Sequence, residues 1–157
     1  MIEIERKFLV RSTSFKDEAI NVVRIIQGFL NRDPERTVRV RIKDEQGVLT
    51  VKGLSSNDGL TRFEWEKNIS KNDAKSLLEF CEHGVIDKLR YEVRIADHVF
   101  EVDEFFGDNE GLIIAEIELK TEDEHFIKPQ WLGEEVTGDP KYYNSQLSKQ
   151  PYKTWID

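Results

Sequence analysis

Val38-Arg39-Val40-Arg41-Ile42-Lys43 sets an unbroken basic face (Arg39, Arg41, Lys43) against an unbroken aliphatic one. A period of two belongs to a strand, so the cations point one way and the branched side chains the other. The division recurs to either side. Glu3, Glu5 and Lys7 oppose Ile2, Ile4 and Phe8, and Lys52 shares a face with Thr50. Arg62, Glu64 and Glu66 oppose Phe63 and Trp65. Lys88, Arg90, Glu92 and Arg94 oppose Leu89, Tyr91, Val93 and Ile95. Glu101 and Asp103 oppose Phe100 and Val102, and Glu116, Glu118 and Lys120 oppose Ala115, Ile117 and Leu119. The pattern predicts strands over 1–9, 24–31, 36–43, 48–53, 60–68, 86–95, 98–105 and 112–120. Asp44 to Gly47 and Ala96 to His98 are short enough to be hairpin turns, which makes their flanking strands antiparallel.

Helices are few. Ser70-Lys71-Asn72-Asp73 has N-cap chemistry ahead of Ala74, Leu77, Leu78 and Cys81 at helical spacing. Thr121-Glu122-Asp123-Glu124 has the capping-box pattern for a short helix carrying Phe126 and Ile127. Asp139-Pro140 would begin a last helix running through Leu147, placed to close one end of a barrel with Tyr142, Tyr143 and Asn144.

Two architectures accommodate the charged faces. One is a flat antiparallel sheet with a solvated face, where each cross-strand ion pair is worth about 0.2–1 kcal/mol. The other closes the sheet into a barrel whose lumen carries both signs of charge and whose apolar faces turn outward under the helices. Ser, Thr, Asn and Gln are nearly absent from the charged faces, which an ordinary solvated face would mix in. Eight strands suit a barrel that holds one small ligand. Desolvating an ion costs several kcal/mol, so such a lumen must hold water, metal ions or a highly charged ligand.

The chain has 157 residues, 34% of them charged, with a formal net charge of −8. That length is expected to form one domain, 1–157. No apolar run approaches the roughly 20 residues of a membrane span, and nothing in the sequence resembles a signal peptide, so none is expected. The single Cys81 cannot form an internal disulfide, so a cytoplasmic location is expected. The acidic balance, with no external basic stripe, argues against nucleic acid as a partner. A homodimer is left open.

Glu3-x-Glu5 and Glu116-x-Glu118 each point two carboxylates the same way, and hard oxygen donors suit Mg²⁺ or Mn²⁺. Either pair alone is common on an exposed strand. Lys7, Arg39, Arg41, Lys52, Arg62, Lys88 and Arg90 form the basic complement, suited to phosphate oxygens or, blandly, to neighbouring carboxylates. His83, His98 and His125 have no metal-ligand spacing, Cys81 reads as a core residue, and no glycine-rich phosphate loop is present. Trp131, Tyr152 and Trp155 read as packing on the barrel exterior.

Glu3-Ile4-Glu5-Arg6-Lys7-Phe8-Leu9-Val10 resembles the opening ExExK motif of the CYTH superfamily, the triphosphate tunnel metalloenzymes. Further segments are similar to its motifs in order: Gln27–Leu30, Val38–Arg41, Leu49–Gly53, Arg62–Glu64, Lys88–Tyr91, Glu101–Phe105 and Ala115–Leu119. Gly133–Thr137 through Tyr142-Tyr143-Asn144 resembles the end of its short bacterial members. The resemblance implies an eight-stranded antiparallel tunnel, divalent metal on Glu3, Glu5, Glu116 and Glu118, and a triphosphate on Lys7, Arg39, Arg41, Lys52, Arg62, Lys88 and Arg90. It implies hydrolysis of inorganic triphosphate to pyrophosphate and phosphate, with Lys88, Glu5 and Asp103 as the candidate catalytic groups. Glu101 and Asp103 fall inside the tunnel by alternation and would orient the cations. Phe29 stands where many relatives have Tyr and Lys141 where a relative often has Arg, which bears on substrate preference. The same fold serves adenylate cyclases, which tend to be longer with a His-Phe start, and thiamine triphosphatases. A non-catalytic polyphosphate or nucleotide sensor is the alternative of another class.

Overall fold

The computed structural model describes residues 2–155, so the expected start of the first strand at Met1 lies outside the described residues. The strands are β1 (Ile2–Val10), β2 (Asn21–Asn31), β3 (Arg36–Lys43), β4 (Gln46–Gly53), β5 (Thr61–Ile69), β6 (Ile86–Ile95), β7 (His98–Phe105), β8 (Ile113–Glu118) and β9 (Leu132–Glu135). The helices are α1 (Phe15–Glu18), α2 (Lys71–Leu78) and α3 (Asn144–Lys149). Sheet order is β5-β4-β3-β2-β6-β7-β8-β1, and β5 pairs back onto β1 to close the ring. Every pairing is antiparallel. Of the two architectures that the alternating charges allow, the closed antiparallel barrel implied by the family resemblance is the observed fold, with β9 added at the edge.

The closing seam is short. Among the described residues, Ile2, Glu3 and Ile4 pair with β5, opposite Phe63, Arg62 and Thr61. Beyond them β9 takes over that edge of β1, with Phe8 opposite Glu135 and Val10 opposite Leu132. Leu132-Gly133-Glu134-Glu135 carries no alternating apolar signal, which is why sequence reading misses it. Its backbone approaches closely: a Cβ on Gly133 would lie 2.9 Å from the Leu9 carbonyl oxygen.

Three apolar clusters hold the shell together. The largest joins Phe8, Phe100, Val102, Ala115 and Ile117, on the outward faces of β1, β7 and β8, to Phe15 of α1, Phe126 and Trp131. A second lies under α2, where Val40 and Ile42 meet Ala74, Leu77 and Leu78. As expected, Ser70 caps α2, its hydroxyl accepting from the Asp73 N–H at 3.0 Å. Cys81 follows this helix and is partly buried against Gly28. The third cluster departs from the expectation of a uniformly charged lumen. Phe29, Ile86, Phe105 and Ile114 have the alternation of lumen residues, yet they pack with Val136, Tyr142 and Leu147. One end of the barrel is thus filled by an apolar core.

Two expected helices differ. Thr121–Glu124 is only a turn, because the Glu124 carboxylate is spent elsewhere: it accepts from the Lys120 N–H at 2.6 Å and pairs with His98 Nε2 at 2.5 Å. Pro129 then disfavours helix at Lys128, and Phe126 is held edge-on by Phe8 and Phe100. The last helix begins as a single 3₁₀ turn over Pro140–Tyr142 and breaks at Tyr143, whose ψ of 136° is extended, before α3 resumes. That break turns Asn144 into the lumen at its closed end. Trp131, Tyr152 and Trp155 pack on the exterior as expected, and Lys141 lies over the Trp155 ring at 4.6 Å rather than in the lumen.

Gly84, between α2 and β6, fixes the closed end. Its φ is +92°, and a Cβ there would sit 1.7 Å from the Ser148 carbonyl oxygen of α3. Gly84→Ala is expected to cost about 3 kcal/mol or more, combining left-handed strain with a backbone collision that no side-chain rotation relieves. Urea unfolding monitored by tryptophan fluorescence measures this as a lower midpoint.

Candidate active site

The lumen contains a cavity of about 490 Å³, within the range of small-molecule sites. Glu3, Glu5, Lys7, Arg39, Arg41, Lys52, Arg62, Lys88, Arg90, Glu116 and Glu118 all line it. Residues far apart in the chain converge because strand alternation points each of them inward from its own stave. Asp103 is the exception. It lies behind the wall, 2% exposed, and touches the cavity only through Lys88 and Arg90.

The charges are largely segregated, although Lys7 on β1 and Arg62, Glu64 and Glu66 on β5 mix the signs at the seam. Glu101 on β7, Glu116 and Glu118 on β8, and Glu3 and Glu5 on β1 make one acidic wall. Arg39 and Arg41 on β3, Lys52 on β4, and Lys88 and Arg90 on β6 make the facing basic wall. On the acidic wall carboxylates stand directly across from one another, Glu5 opposite Glu118 and Glu101 opposite Glu116. Like charges in that register destabilise a sheet, so the arrangement serves something other than folding.

The carboxyls respond accordingly. Burial, then the nearby Glu116 charge, pushes Glu5 up to about 8. Burial raises Glu3 as well, although Lys52 Nζ donates to it at 3.0 Å, and burial with Glu3 raises Glu118. Glu116 goes the other way: burial is outweighed by Lys7, at 3.7 Å, and by Arg90, leaving it at about 2. On the basic wall, burial lowers Arg39 and lowers Arg41 further, with Arg90 and, for Arg41, Arg39 adding repulsion. Arg39 Nε is buried with no hydrogen-bond partner among the described residues.

Lys88 is the most enclosed cation, 0% exposed. Its Nζ donates to Asn144 Oδ1 at 2.9 Å and lies 2.7 Å from Asp103 Oδ2. Arg90 grips the same carboxylate through Nε at 2.8 Å and a terminal nitrogen at 2.9 Å. Burial pulls Lys88 down to about 7 against the attraction of Asp103. Asp103 is held well below the usual carboxylate range, because Arg90 and Lys88 outweigh its burial. The ionised Asp103 is secured by Arg90, so the proton that moves near neutrality is the one on Lys88.

Sequence reading gave no site role to Gln27, and it put Asn144 at one end of the barrel and Thr50 and Glu64 on charged faces without a role. Gln27 is fully buried, and Asn144, Thr50 and Glu64 line the cavity or contact its cations. A lone Gln inside the apolar run Ile25-Ile26-Gln27-Gly28-Phe29 was the available signal, since a buried amide must find partners. Expectation and structure agree that the segment after Gly138 covers one end: Lys7 Nζ donates to the Tyr142 carbonyl at 3.3 Å and sits 5.0 Å from the Tyr143 ring centre.

The family model described as the CYTH domain matches residues 1–150. The chain belongs to the CYTH family. This CYTH protein is 49% identical over 154 residues to an inorganic triphosphatase of Acetivibrio thermocellus, covering 98% of this chain and 97% of that protein. It is 37% identical to an inorganic triphosphatase of Nitrosomonas europaea, covering 94% of this chain and 97% of the relative. A solved structure of an inorganic triphosphatase superposes with a TM-score of 0.67 at 33% identity, covering 93% of this chain and 97% of that one. The CYTH barrel and its lumen are thus shared along nearly the whole length.

Proposed function

We propose that this CYTH protein hydrolyses inorganic triphosphate in the barrel lumen, releasing pyrophosphate and phosphate. The observation that carries the reading is the two-walled lumen, with a basic wall for phosphate oxygens facing an acidic wall for cations. Two relatives named inorganic triphosphatase support it. Arg39, Arg41, Lys52, Arg62, Lys88, Arg90 and Lys7 would bind the phosphate chain along its length. Holding the chain and neutralising its charge is most of the work in phosphoryl transfer.

The donor chemistry of Glu3, Glu5, Glu116 and Glu118 fits a hard divalent cation such as Mg²⁺ or Mn²⁺. Among the described residues, no three potential ligands of the His, Cys, Asp and Glu type are grouped to hold an ion, and Glu3 and Glu116 lie against Lys52 and Lys7. A divalent ion held by Glu3 and Glu116 would compete with Lys52 and Lys7 for these carboxylates, which would leave both lysines available to phosphate. When bound, the metal supplies Lewis-acid charge stabilisation and helps position the attacking water. Lys88 would neutralise charge developing on the transferred or leaving group, with Asp103 orienting both Lys88 and Arg90.

The first test is phosphate release from inorganic triphosphate, ATP and thiamine triphosphate in parallel, with Mg²⁺, Mn²⁺ or EDTA. Metal-dependent release from inorganic triphosphate alone is expected. Cyclic AMP and pyrophosphate from ATP would move the protein to the cyclase reading, and metal-independent binding without turnover to the sensor.

A second expectation concerns protons. A polyanion beside Lys88 favours its charged form, so binding must protonate it wherever the free group is neutral. At about pH 8, metal-free binding should take up roughly one more proton in the wild type than in Lys88→Met. Calorimetry in buffers of different ionisation enthalpy reads the difference, and equal uptake would remove Lys88 from the binding site.

A further inference from the structure

A chain of hydrogen bonds runs along the basic wall at the closed end, joining Arg41 to Lys88. Arg41 Nε donates to Gln27 Oε1 at 2.8 Å, Gln27 Nε2 donates to Asn144 Oδ1 at 2.8 Å, and Lys88 Nζ donates to the same oxygen at 2.9 Å. The ends of the chain decide its polarity. A guanidinium and an ammonium only donate, so Gln27 must turn its oxygen to Arg41 and its nitrogen to Asn144. The Asn144 oxygen, not its nitrogen, then has to face Lys88. Gln27 is fully buried and Arg41 is 6% exposed, so the Arg41–Gln27 bond is shut off from solvent, while the half-buried Asn144 borders the cavity.

We propose that Gln27 and Asn144 are a positioning pair for Lys88, aiming its free N–H into the cavity. An ammonium has three donors. One goes to Asp103 and one to Asn144, and two fixed bonds leave the third a single direction. With Asp103 alone, the ammonium could swing about that one contact. The pair also ties the chemistry to the C-terminal segment, because Asn144 reaches the lumen only through the extended break at Tyr143. The kinetic part of this proposal rests on the triphosphatase reading; the geometric part does not.

The test uses the volume-matched Gln27→Met and Asn144→Leu, singly and together. Loss of one hydrogen bond to a charged group predicts about a tenfold fall in kcat in each single variant. KM should stay within about threefold, because Lys88 keeps its charge and place but not its aim. The double variant should be no worse than the more severe single, since both act through one nitrogen. The alkaline limb of the kcat profile should move to lower pH in each, because the Asn144 carbonyl that favours the charged lysine is removed in Asn144→Leu and no longer held in place in Gln27→Met. The groups facing Lys88 are otherwise Asp103 on β7, Arg90 on β6, Arg41 on β3 and Glu116 on β8, and all are retained. Additive kcat losses, or lower thermal stability with kcat and its pH profile unchanged, would overturn the pairing.

A second arm needs no activity. The Lys88 ¹³Cε resonance, assigned by its disappearance in Lys88→Met, is titrated in metal-free protein. Its midpoint should be lower in Gln27→Met than in wild type, and an unchanged midpoint overturns the proposal. Wild-type protein that releases no phosphate from any substrate would sink the triphosphatase reading and leave this titration to decide the pair on its own.

Discussion

Lys88→Met is expected to lower turnover of inorganic triphosphate by about 1,000-fold, the scale seen when a preorganised charge-stabilising donor is removed from an enclosed site. The fold should survive. Truncating one partner of a buried ion pair usually costs about 3–5 kcal/mol, because it strands the other charge. Here Asp103 keeps both of its bonds from Arg90, so it is not stranded. Methionine also relieves the burial that pulls Lys88 down to about 7.

The sign of the stability change with pH follows. A lysine whose folded pKa lies below its unfolded value of 10.5 binds fewer protons folded than unfolded between about 7 and 10.5. In that window Lys88 makes the wild type more stable as pH rises, and below it the protein bears the full cost of burying the charge. The variant lacks this slope. Its stability advantage over wild type should therefore be greatest at and below neutrality and shrink on the alkaline side. Denaturation midpoints of both proteins across pH measure it; a constant difference would mean that Lys88 stays charged throughout.

Glu5→Gln is expected to remove metal-dependent turnover by about 1,000-fold or more, since an amide is a much poorer ligand for a hard cation than a carboxylate. The change is isosteric, and it deletes one member of the Glu5–Glu118 cross-strand pair. Thermal stability in EDTA should therefore be unchanged or higher. The added diagnostic is partial recovery of activity as Mg²⁺ or Mn²⁺ is raised, because the remaining carboxylates still bind weakly. Full activity at ordinary metal concentration would remove Glu5 from the metal site and shift attention to Glu116 and Glu118. Lost activity with a lowered melting temperature would point instead to a structural role.

Much of this site was legible before any coordinates. Strand alternation is a local rule, so Arg39 had to share a face with Arg41, Lys88 with Arg90, Glu3 with Glu5, and Glu116 with Glu118. The capped α2 was equally local, because Ser70 meets an N–H only three residues away. The extent of the charged lumen was not local. Phe29, Ile86, Phe105 and Ile114 obey the same alternation but pack into an apolar end, because Tyr142 and Leu147 arrive there from the far end of the chain. β9 was invisible for a related reason: an edge strand needs only a neighbour with free backbone groups, and Leu132–Glu135 has no side-chain pattern of its own.

Alternation by itself determined which side chains share a face of their strand, and hence that each strand has a charged face and each Glu-x-Glu pair points one way. Only the tertiary structure decided where each charge is held. It placed Asp103 behind Lys88 rather than in the cavity, broke the last helix at Tyr143, and brought Asn144 to Lys88 and Gln27. The reason is distance along the chain: a period of two sets direction from stereochemistry alone, whereas Lys88 and Asn144 meet only because a closed barrel needs an end.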